Sequence, residues 1–221
     1  MDTLDSRALG YFDCYFRQFP EVGTVRYSLA AAELHPSPEE APFTVEVAGR
    51  PGRAPVQHDV TVRVGKDGRL EPDREELAVA PGDHVMFHAA NARTPRYSVR
   101  GSGPGGAWSS GELENDSLFS HTFGLPGEYR LTDANSGRLV AALVVSNPPL
   151  ADAGAGLAVR DAAIISIQGG DFKTQRAEMV VGQTAVFVVN DVREPGITIT
   201  DHALLGPPPS PGEPFLTRER E

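Results

Sequence analysis

Along most of this chain apolar and polar residues alternate with a period of two. Phe43, Val45 and Val47 alternate with Thr44 and Glu46, and Val60, Val62 and Val64 with Thr61 and Arg63. Leu77 and Val79, then Val85 and Phe87, continue the pattern. It returns at Leu139–Val145, Ile164–Ile167, Met179–Val181, Val186–Val189 and Ile197–Ile199. A period of two places every second side chain on one face of a strand, so each segment predicts a strand with one buried face. A helical period is suggested only weakly, around Leu29–Leu34. The pattern predicts an all-β protein.

Two stretches rich in Pro, Gly and Ala interrupt the strands, at 50–55 and at 147–156, and read as links between folded blocks. A third, Gly206 to Pro214, carries too many prolines to join a ladder and favours polyproline II.

Internal repeats tie the blocks together. Leu77-Ala-Val-Ala-Pro-Gly82-Asp-His-Val85-Met-Phe87, leading to Asn91, Pro95, Tyr97 and Val99, matches a later stretch. That stretch is Met179-Val-Val-Gly182-Gln-Thr-Ala-Val-Phe187, leading to Asn190, Pro195, Ile197 and Ile199. Phe119 to Arg130, with its Pro126-Gly127 turn and Tyr129, likewise matches Tyr15 to Tyr27.

These two signatures resemble the two halves of a cupredoxin domain of the plastocyanin and azurin type. The resemblance implies Greek-key β-sandwiches: a complete domain over 56–146, a first half over 157–205 and a second half over 1–50, with 206–221 as a Pro-rich tail. A lone half leaves open strand edges and an uncovered apolar face, so the orphan halves are expected to close a second domain together, within one chain or between chains. Exchange between chains would propagate head to tail. The family's type 1 copper site takes two His, a Cys thiolate and a weak Met. The positions that the resemblance assigns to its first His hold Arg96 and Gly196, and those for its Cys hold Asp133 and Leu29. A copper-free protein without a cofactor is therefore expected.

Composition narrows the function further. The 221 residues carry a net charge of −10 with no Lys/Arg stripe, which argues against nucleic acid. No apolar run approaches a membrane helix. One cysteine and no visible signal peptide favour the cytoplasm, with export by another route or a processed precursor left open. No nucleophile elbow, Walker loop or paired-Cys zinc spacing is found, and no small-molecule substrate is evident. The expectation is a non-enzymatic structural or interaction protein, an assembly subunit or scaffold that binds itself or a protein partner.

Candidate residues follow. His84, Met86 and His88 point to the solvent face of one strand, and the matching row in the repeat is Thr184, Val186 and Val188. The second row is apolar enough for Val186 and Val188 to predict coverage by a partner. Trp108 sits in a Gly/Ser-rich stretch and is either a binding anchor or folded back over the sandwich; Phe215 in the tail is a further docking candidate. The alternative is a metal or redox protein with unconventional ligands His84, Met86 and His121. Cys14, among Tyr11, Phe12, Tyr15 and Phe16, reads as a small buried apolar residue.

Overall fold

The computed structural model describes residues 3–31, 41–49, 54–148, 160–192 and 196–201. They form strands and turns, with no helix among them. Thus the all-β expectation holds; of the weak helical period over Leu29–Leu34, residues 29–31 lie in a nine-residue strand, Gly23–Ala31, and 32–34 lie outside the described residues.

Among the described residues seventeen strands make three sheets. The first half of the chain contributes β1 (Asp13–Gln18), β2 (Gly23–Ala31), β3 (Phe43–Val47), β4 (Gln57–Val64), β5 (Leu70–Pro72), β6 (Glu76–Val79), β7 (His84–Ala89), β8 (Tyr97–Gly103) and β9 (Gly106–Ser109). The second half contributes β10 (Ser117–Thr122), β11 (Gly127–Asp133), β12 (Arg138–Ser146), β13 (Ala163–Gln168), β14 (Asp171–Phe172), β15 (Arg176–Val180), β16 (Thr184–Asn190) and β17 (Ile199–Asp201). One eight-stranded sheet runs β14-β13-β16-β10-β1-β7-β4-β5. A five-stranded sheet, β6-β3-β2-β8-β9, and a four-stranded sheet, β15-β12-β11-β17, complete the fold.

The large sheet reads alike from either end. Tyr15 on β1 pairs with Phe87 on β7, which pairs in parallel with Val60 on β4. Phe119 on β10 pairs with Phe187 on β16, which pairs in parallel with Ile165 on β13. All six side chains are fully buried, so the alignment of Phe87 with Phe187 holds in space as in sequence. Gly82 and Gly182 take φ of +90° and +87°, a region that side chains other than glycine enter only with strain. At the middle of the sheet β1 and β10 pair antiparallel, with Tyr15 directly opposite Phe119. The two halves are therefore related by an approximate twofold axis through this seam.

The pairing of the half-domains differs from the expected one. β1–β3 do not close on 157–205; they pair with β7, β8 and β6. β10–β12 pair with β16, β17 and β15, so 56–146 is not a self-contained sandwich. Both second-half signatures carry the same local pattern, and that pattern cannot choose between partners. Chain connection can: β3 enters β4 through a short link, whereas 157–205 lies about half the chain away and costs more loop-closure entropy.

A reciprocal exchange of short segments reinforces the seam. Asp5, ahead of β1, bridges to Thr200 in the second half before Leu9 returns to Tyr97 in the first. β9, ahead of β10, pairs with β8 in the first half before Leu113 bridges to Ile197 in the second. Leu4, Leu9 and Leu113 are fully buried there.

Candidate functional site

The solvent face of the eight-stranded sheet follows from the pleat. Tyr15, Phe87, Phe119 and Phe187 point inward, so their strand neighbours point out. Across the strands one outward row runs Asp59, Met86, Phe16, Leu118, Val188, Ser166, and the next runs Thr61, His88, Cys14, Ser120, Val186, Ile164. From β7 to β13 these rows are mostly apolar. Val186, Val188, Leu118, Phe16 and Met86 are half-buried, and Ile164 is 56% exposed. The expected row at Val186 and Val188 thus continues across the seam into Phe16 and Met86, a continuity that needs β10 beside β1.

The metal alternative is not assembled. His84 and Met86 lie on the solvent face of β7, whereas His121 points to the opposite face, into the core, two strands away. The alternation of a pleated strand puts them on different sides of the sheet. Among the described residues no three His, Cys, Asp or Glu side chains are placed to hold a metal.

His121 instead belongs to a buried polar cluster at the seam. Its Nδ1 lies 2.6 Å from Oδ1 of Asp13, directly across the β1–β10 ladder. The other carboxylate oxygen accepts the Gly10 N–H at 2.6 Å and lies 3.7 Å from the Arg96 guanidinium. Arg96 also donates to the Thr3 carbonyl. Both His121 and Asp13 are almost wholly buried, so the pair links the two halves without reaching solvent.

Cys14 lies opposite His88 on the solvent face, but the two side chains are bonded in different directions. Cys14 stands across the ladder from Ser120 on its other side, while His88 Nε2 lies 3.3 Å from the Thr61 hydroxyl. Burial pushes the Cys14 thiol above its ordinary value; Ser120 pulls it down, and Asp13 and Asp59 add to the rise. A thiol held protonated is a poor nucleophile and a poor metal ligand.

Of the positions matched to the copper ligands, Asp133 meets Gly196 rather than Arg96, the partner that a complete 56–146 domain would give it, and hydrogen bonds within the chain occupy the place. Asp133 accepts the Thr198 N–H at 2.9 Å and the Asn135 N–H at 3.1 Å on one oxygen, and the Ser136 N–H at 3.1 Å on the other. Asn135 donates to the Gly196 carbonyl at 2.6 Å. The carboxylate thus fastens the turn after β11 to the strand entry of β17. In the first half Leu29 offers no donor atom at the equivalent place beside Val99.

Trp108 is core, not an exposed anchor. β8 and β9 form a hairpin that turns its indole inward, 5% exposed, with ring centroids 5.7 Å from Phe19 and 6.1 Å from Tyr15. Gly101, directly opposite, leaves room for it; a Cβ there would strike the indole ring and sit 2.8 Å from the Arg26 carbonyl. Phe215 lies outside the described residues.

One cavity that the sequence reading missed opens on the outer face of the five-stranded sheet. It measures about 330 Å3 and is lined by Arg26, Arg100, Ser28, Ser102, Ser109 and Glu112, among others. No local motif marks it, because its residues come from three strands and the connections beside them and acquire meaning only in register.

No protein-family model, no curated protein and no solved structure matches this chain.

Proposed function

We propose that this is a copper-free, cupredoxin-like protein that acts without catalysis, as an assembly subunit that binds a second copy of itself. The family reading is supported by strand order. In each half a parallel pair (β4 with β7, β13 with β16) lies beside a strand from the second-half signature, and a second sheet covers its inner face. The order of the two signatures along the chain is reversed relative to the family, in both halves. The absence of copper from the reading rests on Asp133, whose two oxygens already accept three backbone N–H groups.

The observation that carries the interaction role is the apolar band over the seam, Met86–Phe16–Leu118–Val188 with Val186 and Ile164 beside it. The band crosses five strands, which at ~4.8 Å spacing and about five residues of length give roughly 400 Å2 before side-chain relief, about half the ~800 Å2 per partner of a standard interface and the size of a weak, concentration-dependent one. A second copy would offer the same patch, an isologous contact that closes as a dimer. Both half-domain signatures find partners within the chain, which removes the motive for head-to-tail exchange.

Sedimentation velocity across a wide concentration range tests this reading. The expected species is a dimer, returned to monomer by the double variant Ile164→Asp, Val186→Asp with unchanged circular dichroism. A wild-type chain that stays monomeric at the highest concentration reached would overturn it.

A further inference from the structure

The cavity on the five-stranded sheet lies on a different face from the proposed contact, and it has the chemistry of an anion site. Its floor follows from register. Arg26 on β2 pairs with Ser102 on β8, Ser28 pairs with Arg100, and Arg100 pairs in turn with Ser109 on β9. The two arginines therefore stand on the same face of adjacent strands, one diagonal step apart, about 7–8 Å between their backbones. A guanidinium arm is long enough to cross that gap, so both can close on one group.

Like charges set side by side repel, and chains ordinarily relieve this with a carboxylate. Several arginines are relieved in that way (Arg7 with Asp5, Arg17 with Glu114, Arg63 with Glu71, Arg130 with Glu128), while Arg93 and Arg176 stand exposed and apart from one another without an ion pair among the described residues. Arg26 and Arg100 form no such pair among the described residues, in a chain whose net charge is −10. Glu46, on the strand beside Arg26, accepts from the Thr24 hydroxyl instead. Glu112 lines the cavity without an ion pair to either arginine. Ser109 Oγ accepts the Glu112 N–H at 3.2 Å, which leaves its O–H to donate elsewhere, and Ser28 and Ser102 add two more hydroxyls. Two guanidinium forks and three hydroxyls around about 330 Å3 match the number and kind of donors that an oxyanion takes, in a space the size of a small-molecule site.

We infer that this cavity binds a small organic anion through a carboxylate or phosphate group held between Arg26 and Arg100. The site is independent of the self-association face, so either can fail alone.

Isothermal titration at constant ionic strength, with inorganic phosphate in one arm and succinate in the other, tests it on the full chain. Saturable one-site binding is expected in at least one arm, and the arm that binds identifies the group as phosphoryl or carboxylate. Arg26→Ala and Arg100→Ala should each weaken it by about tenfold or more, and Arg→Lys should fall between, since an ammonium cannot reproduce a bidentate fork. Both side chains are exposed, so the variants should keep the wild-type circular dichroism and melting temperature. Absence of saturation in both arms, or binding that survives either alanine substitution, would overturn the inference.

Discussion

Tyr27 offers a sharp test of how the core is built. Its ring is fully buried between Phe43 and Phe87, at centroid distances of 5.4 and 5.3 Å, and its hydroxyl has no hydrogen-bond partner. A buried hydroxyl without a partner costs about 1–3 kcal/mol of desolvation. Tyr27→Phe removes that group and keeps the ring contacts, so at pH 7 it should leave stability unchanged or raise it by about 1 kcal/mol. At high pH the same residue acts with a definite sign. Burial, with a smaller contribution from Asp73, pushes the Tyr27 phenol far above its ordinary value; Tyr15 and Tyr97 are pushed up by burial as well. In the unfolded chain each ionises near its ordinary value of about 10. Above that pH the unfolded state binds fewer protons than the folded one, so stability falls as pH rises. The slope is about 1.4 kcal/mol per pH unit for each tyrosine, or ~4 for the three together, until the folded-state values are reached. Urea unfolding at a series of pH values from 7 upward, with phenolate absorbance read alongside, measures both effects. Tyr27→Phe should reduce the alkaline slope by about 1.4 kcal/mol per pH unit. A loss of more than 1 kcal/mol at pH 7, or an unchanged alkaline slope, would refute the account of Tyr27 as an unpartnered buried phenol.

Two further outcomes are expected. Phe87→Ala and Phe187→Ala should each cost about 3–5 kcal/mol in urea unfolding, because each empties an equivalent, fully buried site, and a large disparity between them would break the twofold relation. Asp133→Ala should cost about 2–3 kcal/mol, since it strands the N–H of Thr198, 2% exposed, without an acceptor; a neutral result would remove Asp133 as the fastener between β11 and β17.

Much of this architecture is legible in local pattern. Alternation at Val60–Val64 or Val85–Phe87 dictates a strand and its buried face, because side-chain direction in a strand depends only on parity. The repeat placed Phe87 beside Phe187 as counterparts, and the absence of His and Cys at Arg96, Gly196, Leu29 and Asp133 could be read directly. Val186 and Val188 were legible as an outward apolar pair for the same reason.

What lay beyond local pattern was every question of which edge meets which. The segments around Tyr15 and Phe119 carry the same signature, so each could close either sandwich; chain connection and edge saturation selected the partners. Only that choice sets β1 against β10, extends the apolar band from Val188 to Met86, and buries Asp13 against His121. It also brings Tyr15 and Phe19 beneath the local β8–β9 hairpin, so that Trp108 over Gly101 turns into core, although a Gly/Ser-rich stretch reads equally well as an exposed loop. Arg26 and Arg100 are far apart in sequence and unremarked by any motif, yet the β2–β8 ladder brings them to one cavity. Parity is a property of neighbouring residues, whereas register and partner choice belong to the whole chain; the first was written in the sequence and the second was decided by tertiary structure.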